Sequence, residues 1–465
     1  MSALFSFEQS VSDDIARGAL DRALKRLYLH VDTIVTTPTL HPQPIGNPAL
    51  DALCQQIGAK TWVDPRPITP TVPVHVYIAT KLQRSGGHTR VIERLIEAHP
   101  GMQHVVLVTE RMGRSDRTHM RQRFPQVRFE FCRAKRWLDT LLWLQRELVT
   151  LAPSKTHLFN HHQDSAAVAA IQPEMKLDAY FYHHGDHHLT LGATLKHFTH
   201  VDLHPMGYHQ CRAAFKAENQ YLPLVTGDKG PRAETPFMAN GHLTTATAAR
   251  DNKVAQPYFI QYADVIPTLL KATGGTHVHM GALGRRTLRR LQKNMALHGV
   301  ARERFVYLSH VPSVWDALLM HKVDLYLASF PIGGGLTMVE AMGAGIPVAI
   351  HLHLTSPLIT AAELAYPGAL RWRFPQQLYT QLVKLTPAFL ADQGRRARAH
   401  YIAHHSPALL TAESVVPAAD QSAHFVAEPQ AWPDWERAVN SLTQRLKQRA
   451  YRHARRLRAT IDKYR

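Results

Sequence analysis

The amino-acid sequence predicts an α/β protein with two doubly wound domains, each built around a parallel sheet that is covered by helices. The chain has 465 residues, which exceeds one ordinary core and suits two domains of roughly 200 residues each. Apolar strand patterns alternate with helical patterns over much of the chain, and this alternation implies parallel strand pairing. The alternation fades between Leu222 and Ala255 and then restarts, which places the domain boundary there.

The first domain is predicted over residues 71–240. Val72–Thr80 has the composition of a buried strand, and it is followed by a glycine turn and a helical pattern over Thr89–His99. Strand, turn and helix in series form the first unit of a doubly wound sheet. The later elements are predicted as strands at His104–Glu110, Val127–Arg133, Thr156–His162 and Asp178–His184, with helices at Arg136–Thr150 and Ser165–Gln172.

The second domain is predicted over residues 256–430. It repeats the same alternation, which gives the chain two Rossmann-like halves that share architecture but not sequence. The strands are predicted at Pro257–Ala263, Thr276–Gly281, Arg304–Ser309, Val323–Phe330 and Ile346–Leu352, with helices at Arg286–His298 and Ser313–His321.

Two terminal segments lie outside the predicted domains. Residues 1–70 form an N-terminal extension with a helical start and a proline-rich continuation, which we expect to wrap around or link the domains because proline lacks an N–H donor. Residues 431–465 are predicted to form a basic C-terminal helix, since Arg437–Arg465 contains ten Lys or Arg residues and one acidic residue, Asp462. This helix either presents a solvated face or binds anionic lipid headgroups, and both interpretations stay open.

The composition limits the partners and the compartment. The formal net charge of +18 indicates an anionic partner, but the basic stretch has no groove-reading module, so nucleic acid is not a predicted partner. Cys54, Cys132 and Cys211 are too widely spaced to indicate a disulfide framework or a cysteine metal site. No apolar run approaches the roughly 20 residues of a membrane span, and Met1–Leu20 contains three acidic residues instead of a signal peptide, which predicts a cytoplasmic protein.

The most informative segment runs from Phe330 to Pro347. An apolar strand ends at its start, three glycines follow, and a helix begins directly after them. The free amide groups and positive dipole end of the first helical turn suit a diphosphate. A Glu one turn into the helix is placed to accept hydrogen bonds from sugar or ribose hydroxyls. The predicted donor-binding residues of this segment are Gly333, Gly334, Gly335, Leu336, Thr337 and Glu340.

The glycine turn and the run Glu-Ala-Met-x-x-Gly-x-Pro that begins at Glu340 resemble the donor-site segment of glycosyltransferases with the GT-B fold, especially the group-one, family 4-like enzymes. The resemblance covers Pro257–Leu352 clearly and the N-terminal half in outline. It implies two Rossmann-like domains that face each other across a cleft, with a nucleotide sugar bound to the C-terminal domain. It also implies a hexosyltransferase-type reaction with no cofactor and no metal ion.

The sequence departs from that family at two points. Many retaining members have a second Glu eight positions before the one that matches Glu340, and Ile332 occupies that position here. The basic pair that contacts the donor phosphates is not found after Pro257–Ala263, the first predicted strand of the second domain. The glycine turn with Thr337 is also similar to that of protein-modifying N-acetylglucosamine and hexose transferases, which invert. Retention and inversion therefore both stay open.

Two strand ends supply further donor-side candidates. Gly281 ends a predicted strand, and Arg285 in the following loop has the charge to neutralise a diphosphate, although an exposed arginine at a helix start is an alternative interpretation. His310 follows the next predicted strand, where similar enzymes contact the nucleotide base through backbone groups.

Histidines near strand ends mark the predicted acceptor side. The loop after the first strand has the glycine pair that similar enzymes place near the acceptor, and the clusters His161–Asp164 and His183–His188 end later strands. Strand ends line the ligand crevice of an open α/β sheet. The predicted acceptor-side residues are Gly86, Gly87, His88 and His162.

A base is needed to remove the proton of an acceptor hydroxyl. A His with a pKa near 6.5 and a carboxylate partner suits this task near neutral pH. His184 or His187 is the predicted base, with Asp186 as its partner. Structural side chains and metal ligands are the two other interpretations of the clusters. We predict no metal residue, because neighbouring residues of a strand point to opposite faces.

These inferences predict a cytoplasmic glycosyltransferase, peripheral at the inner face of the membrane, that moves a sugar from a nucleotide sugar to a glycan, lipid-linked or protein acceptor in bacterial surface glycan synthesis. Two alternatives stay open. A nucleotide-sugar epimerase of the same fold would need no acceptor. A non-catalytic nucleotide- or sugar-binding scaffold would tolerate replacement of Glu340 and of the histidines.

Overall fold

The computed structural model describes residues 2–36, 45–62, 68–69, 73–83, 87–184, 188–215, 218–233, 236–256, 258–354, 359–409, 450 and 453–454. These residues fall into two compact units, each with its own parallel sheet. The first unit contains the described residues up to Leu203 together with Gly207–Leu222. The second unit contains His204–Met206 and the described residues from Pro223 to position 409.

The described part of the first unit has seven strands and eight helices. The strands are β1 (Val74–Ala79), β2 (Gln103–Val108), β3 (Arg128–Phe131), β4 (Lys155–Phe159), β5 (Ala179–His183), β6 (Thr199–Asp202) and β7 (Gln220–Tyr221). The helices are α1 (Ser2–Ala16), α2 (Leu20–Val35), α3 (Pro48–Thr61), α4 (Gly87–Ala98), α5 (Arg117–Arg123), α6 (Trp137–Leu151), α7 (Ser165–Ala170) and α8 (Pro205–Phe215). The first two residues of α8 belong to the second unit.

The described strands of the first sheet have the order β3-β2-β1-β4-β5-β6-β7, and their pairs are parallel. This is the Rossmann order, in which the chain moves outward from β1 to β3 and then returns to the other side with β4. The change of direction falls between β1 and β4. Ligands of such sheets bind beyond the carboxyl ends of the strands at this point, so the residues after β1 and β4 are site candidates.

The segment predicted as an N-terminal extension supplies three helices to the core of the first unit. Val11, Leu27 and Ile57, one from each of α1, α2 and α3, lie in the same buried cluster as Val76 of β1 and Val168 of α7. Their apolar faces would otherwise contact water, at a cost of roughly 25 cal/mol per Å². The described part of residues 1–70 is therefore built into the fold of this unit.

The described part of the second unit has six strands and seven helices. The strands are β8 (Thr244–Ala248), β9 (Thr276–Met280), β10 (Phe305–Leu308), β11 (Leu325–Leu327), β12 (Val348–His351) and β13 (Leu370–Trp372). The helices are α9 (Asp251–Val254), α10 (Tyr262–Thr273), α11 (Arg285–Leu297), α12 (Val314–Met320), α13 (Gly335–Gly343), α14 (Pro375–Leu382) and α15 (Pro387–His405).

The described strands of the second sheet have the order β10-β9-β8-β11-β12-β13 and are also parallel. This repeats the Rossmann order, and here the change of direction falls between β8 and β11. The prediction of an α/β chain with two Rossmann-like doubly wound sheets is confirmed.

The first strand of this sheet is not the predicted one. The prediction of a strand at Pro257–Ala263 is wrong, because Tyr262 and Ala263 begin α10 and its apolar residues recur with the helical period. The strand in this place is β8, which is buried at all five positions between β9 and β11. Strands buried on both faces are usually rich in Val, Ile and Leu, whereas β8 consists of Thr and Ala, so the segment gives a weak hydrophobic signal.

The chain crosses to the second unit earlier than the predicted domain limit at residue 240. The segment from Pro223 belongs to the second unit, where Asp324 holds its end against the sheet. One carboxylate oxygen of Asp324 accepts a hydrogen bond from the Met238 amide (2.9 Å), and the other accepts one from the Thr244 amide (2.8 Å).

None of the helices in the described ranges combines the length and the apolar character that crossing a bilayer requires. Apart from Ala450, His453 and Ala454, the basic stretch Arg437–Arg465 lies outside the described residues. Its binding to anionic lipid headgroups stays a prediction.

Candidate functional site

The predicted donor-binding segment lies at the point where the second sheet changes direction. The chain leaves β11 at Leu327, turns through Phe330–Gly334 and enters α13 at Gly335. Because β11 pairs with β8, the residues that follow β8 lie beside this turn. The sequence-predicted strand, glycine turn and helix are therefore present at the position where open α/β sheets bind ligands.

Close contacts explain why two of the three positions in the turn, Gly333 and Gly334, are glycine. A Cβ on Gly333 would lie 2.1 Å from the carbonyl oxygen of Thr360, so only glycine fits against that backbone. A Cβ on Gly334 would lie 2.6 Å from the hydroxyl of Thr337. Gly334 is also the N-cap of α13 and has no side chain to cap the helix. The first amide groups of α13 are thus left without a side-chain acceptor from the N-cap position.

Hydrogen bonds fix the shape of the turn. The Ser329 hydroxyl donates to the carbonyl of Ile332 (2.8 Å), and the Thr337 hydroxyl donates to the carbonyl of Gly334 (3.0 Å). The Tyr326 hydroxyl in turn donates to the Thr337 hydroxyl (2.8 Å). Burial, with a contribution from the charge of Glu340, raises the pKa of Tyr326 to about 12. Glu340 is half-buried, and its predicted role in binding sugar or ribose hydroxyls stays a prediction.

Lys253 is the basic residue that the sequence analysis missed at this turn. It lies in the single turn of α9, directly after β8, and its Nζ donates to the carbonyl of Gly333 (2.5 Å). The backbone carbonyl of Lys253 accepts a hydrogen bond from the Ile332 amide (3.3 Å). Burial lowers the pKa of Lys253 to about 8. A second basic residue, Arg250, precedes α9 and is exposed. Both were overlooked because β8 was not recognised.

A histidine and a carboxylate lie beside the start of α13. A Cβ on Gly335 would lie 3.5 Å from Cε1 of His204, and Nδ1 of His204 lies 2.7 Å from Oε1 of Glu363. Glu363 is only 2% exposed, and its Oε2 has no hydrogen-bond partner among the described residues. The carboxylate orients the imidazole next to the glycine turn. The two residues are 159 positions apart and neither lies in a motif, so no sequence pattern indicates this pair.

The remaining donor-side candidates are further along the sheet edge. Gly281 has a φ of 121°, and a Cβ there would lie 2.3 Å from the carbonyl oxygen of Ala249, so its backbone conformation requires glycine. Arg285 begins α11, is exposed, and forms no ion pair with another described residue. His310 is exposed in the loop after β10. Their predicted roles in donor binding stay predictions.

Three histidines meet at the carboxyl ends of β1, β4 and β5 in the first unit. The ring of His88, at the start of α4, lies 3.7 Å from the ring of His184 and 4.4 Å from the ring of His161, measured between centroids. A Cβ on Gly87 would lie 2.7 Å from Cε1 of His184, so the glycine allows this close packing. His162 lies apart, with its ring 5.4 Å from that of His188.

His88 is the central residue of these three histidines, and its ring is held in the neutral form. Burial, with the neighbouring histidines, lowers the pKa of His88 well below its usual range, and neither ring nitrogen of His88 has a hydrogen-bond partner among the described residues. His184 is half-buried, one residue beyond β5. The other predicted residues of this region, Gly86, Asp186 and His187, lie outside the described residues.

Asp164, the last residue of the sequence cluster His161–Asp164, has a structural role. Its Oδ2 accepts hydrogen bonds from the hydroxyls of Thr80 (2.8 Å) and Thr109 (2.6 Å), which follow β1 and β2. Its Oδ1 caps α7 by accepting from the Ala167 amide (3.2 Å). The carboxylate therefore ties three elements together.

Comparison with known proteins defines the fold. No protein-family model matches the chain, and no curated protein matches it in sequence. HepE from Anabaena, solved in complex with UDP and glucose, is similar in structure, with a TM-score of 0.53 and 13% identity over 72% of this chain and 97% of HepE. A glycosyltransferase from Rickettsia africae has a TM-score of 0.51 and 11% identity over 73% of this chain and 96% of its own length. At such identities the likeness establishes architecture, and the chain has the GT-B fold.

Proposed function

We propose that the chain is a glycosyltransferase that transfers a sugar from a nucleoside-diphosphate sugar to a hydroxyl-bearing acceptor. The observation that carries this proposal is the contact of Lys253 with the glycine turn at the start of α13, at the switch point of the second sheet. This arrangement combines a cation with uncapped helix amides in one place. HepE, which shares the fold, was solved with UDP and with UDP-glucose, which makes UDP the first nucleotide to test.

The leaving group of such a reaction is a nucleoside diphosphate, whose negative charge grows as the sugar departs. The first amides of α13 and its positive dipole end stabilise an anion at this position. The Lys253 ammonium adds a full charge, and its bond to the Gly333 carbonyl holds it beside those amides. Stabilisation of developing charge by preorganised donors is commonly the largest contribution to such catalysis. No metal ion or cofactor is needed for this step in our proposal.

The sugar and ribose hydroxyls need acceptors, and Glu340 supplies a carboxylate one turn into α13. The His204–Glu363 pair, beside Gly335, is a second polar group that we assign to contact with the donor sugar. Whether the anomeric configuration is retained or inverted depends on which of these groups faces the anomeric carbon.

Deprotonation of the acceptor is assigned to the first unit. His184 lies at the end of β5 and packs against the neutral ring of His88, which fixes its orientation. His187 and Asp186 remain alternative and partner residues in this proposal. We assign the acceptor to the class of glycans, lipid-linked glycans or proteins, with bacterial surface glycan synthesis at the cytoplasmic face of the membrane as the setting.

Release of nucleoside diphosphate tests the proposal. The full chain is incubated with UDP-glucose and other nucleoside-diphosphate sugars, with and without membrane and glycan extracts, and free nucleoside diphosphate is measured. We expect release that depends on an acceptor and that is lost in Lys253→Gln but kept in Lys271→Gln, which changes an exposed lysine of α10. Conversion of the donor sugar without nucleotide release would instead indicate an epimerase, and no binding or turnover of any donor would contradict the proposal.

A further inference from the structure

Four potential metal ligands converge inside the first unit, and one of them, His183, directly precedes His184. Nδ1 or Nε2 of His183 and His200, a carboxylate oxygen of Asp202 and Sγ of Cys211 all lie within 4.8 Å of one another. The four residues are at most 6% exposed. The group is unusual for a hydrophobic interior, because each polar side chain removed from water requires a partner.

The topology explains why these residues meet. His200 and Asp202 are two positions apart on β6, so their side chains point to the same face of the sheet. His183 ends the neighbouring strand β5 in direct register with Asp202. Cys211 comes from α8, which follows β6. No sequence pattern indicates the group, because its members come from three elements and lack the short spacing of a cysteine metal motif.

Four of the six distances between the ligand atoms are close to the edges of a zinc tetrahedron. Oδ1 of Asp202 lies 3.2 Å from Nδ1 of His183, 3.2 Å from Nε2 of His200 and 3.3 Å from Sγ of Cys211, and this Sγ lies 3.3 Å from Nδ1 of His183. Bonds of about 2.0 Å to nitrogen and oxygen and about 2.3 Å to sulfur at tetrahedral angles separate the ligand atoms by about 3.3 to 3.5 Å. The two remaining distances are at most 4.8 Å, so all four side chains are within reach of one ion.

The hydrogen bonds around the group also fit a bound cation. Nδ1 of His200 lies 3.1 Å from the carbonyl oxygen of Ala193, which can only accept, so the proton of this ring is on Nδ1. The Nε2 lone pair of a neutral His200 then faces the Asp202 carboxylate, and a cation between them removes this conflict. Oδ2 of Asp202 accepts from the side-chain amide of Asn219 (2.5 Å). Outer hydrogen bonds of both kinds are typical of metal ligands.

We propose that His183, His200, Asp202 and Cys211 form a structural zinc site. A thiolate and two imidazoles favour zinc over calcium or magnesium, which prefer oxygen ligands. The site is closed, since four protein ligands fill a tetrahedron and all are buried. Binding converts the Cys211 thiol to a thiolate, with its proton released to solvent. The ion would anchor the end of β5, from which His184 extends, and the proposal stands whether or not the chain transfers sugars.

The zinc content of the full chain tests this proposal. The protein is purified without chelators, and its metal content is measured by mass spectrometry for the wild type, Cys211→Ser and Cys132→Ser. Cys132 is a matched control, since it is equally buried but lies near Thr140 outside the group. We expect about one zinc per chain in the wild type and in Cys132→Ser, and at least a tenfold loss in Cys211→Ser.

A second measurement covers the case in which Cys211→Ser does not fold. The wild-type chain is stripped of metal and titrated with Co²⁺, and we expect a thiolate-to-cobalt charge-transfer band that Zn²⁺ abolishes. The variant Asn219→Ala keeps all four ligands and is expected to weaken zinc binding about 10- to 100-fold. A wild-type chain that is purified without zinc and gives no charge-transfer band with Co²⁺ would overturn the proposal. The side chains would then form a hydrogen-bonded network without a metal ion.

Discussion

Replacement of Lys253 by glutamine separates the charge of this residue from its structural role. The Lys253 Nζ donates to the Gly333 carbonyl, and glutamine keeps an N–H donor on a side chain one bond shorter while it carries no charge. If the ammonium contacts a bound diphosphate, the variant loses a charge-assisted hydrogen bond. Such a bond contributes about 1.5 to 3 kcal/mol, so we expect the dissociation constant of a nucleoside diphosphate to rise about 10- to 150-fold.

The pH dependence of the dissociation constant gives a second and independent prediction. With a pKa of about 8, Lys253 is about nine-tenths protonated at pH 7 and about one-tenth protonated at pH 9. If only the ammonium form binds the diphosphate tightly, the apparent dissociation constant of the wild type rises about tenfold between these pH values. The Lys253→Gln variant has no such group and is expected to bind equally weakly at both.

Isothermal titration calorimetry at pH 7 and pH 9 measures both effects, with Lys271→Gln as the control for loss of an exposed lysine of the same unit. The control is expected to bind like the wild type. A Lys253→Gln variant that binds within twofold of the wild type at pH 7, or that shows the same pH dependence, would refute the assigned role.

Three further predictions follow from the same structure. Gly333→Ala places a methyl group 2.1 Å from the Thr360 carbonyl oxygen and is expected to lower the free energy of unfolding by about 1 to 3 kcal/mol, measured with urea. In the control Gly101→Ala, a Cβ meets nothing within 4 Å, and the free energy of unfolding is expected to change by less than about 0.5 kcal/mol. Equal urea midpoints for the two variants would contradict this prediction. Burial lowers the pKa of His75, His279 and His405 to about 4, below the unfolded value near 6.5, so the unfolded chain binds more protons between these values. Stability is then expected to fall as the pH is lowered from about 6.5 to 4, by about 1.4 kcal/mol per pH unit for each histidine, and a flat profile of urea midpoints from pH 7 to 5 would contradict the assignment. Glu340→Gln is expected to lower kcat/KM for a donor sugar about 10- to 150-fold with little change in melting temperature, and unchanged kinetics would remove Glu340 from the site.

The sequence predicted the elements whose hydrophobic patterns are strong. The glycine turn and α13 were located because a long apolar segment, three glycines and a helical pattern follow one another in the sequence. The first strand of the second sheet was misplaced because β8 consists of Thr and Ala, whereas the apolar residues near Tyr262 belong to a buried helix. This one error also hid Lys253, whose meaning depends on its position after β8.

Contacts between distant residues could not be predicted from patterns. His88 and His184 were both selected because they follow strands, but their ring contact depends on the order of β1, β4 and β5 in the sheet. The His204–Glu363 pair depends on how residues 159 positions apart meet. The pattern of Pro in residues 1–70 indicated a separate extension, although the apolar faces of its helices bury against the sheet.

The crystal structure of the full chain with a bound nucleoside diphosphate tests the central claim most directly. The proposed function predicts that the diphosphate oxygens lie about 3 Å from the first backbone amides of α13 and from Nζ of Lys253, with Glu340 within reach of a ribose or sugar hydroxyl. A nucleotide whose phosphates contact neither the start of α13 nor Lys253 would contradict it.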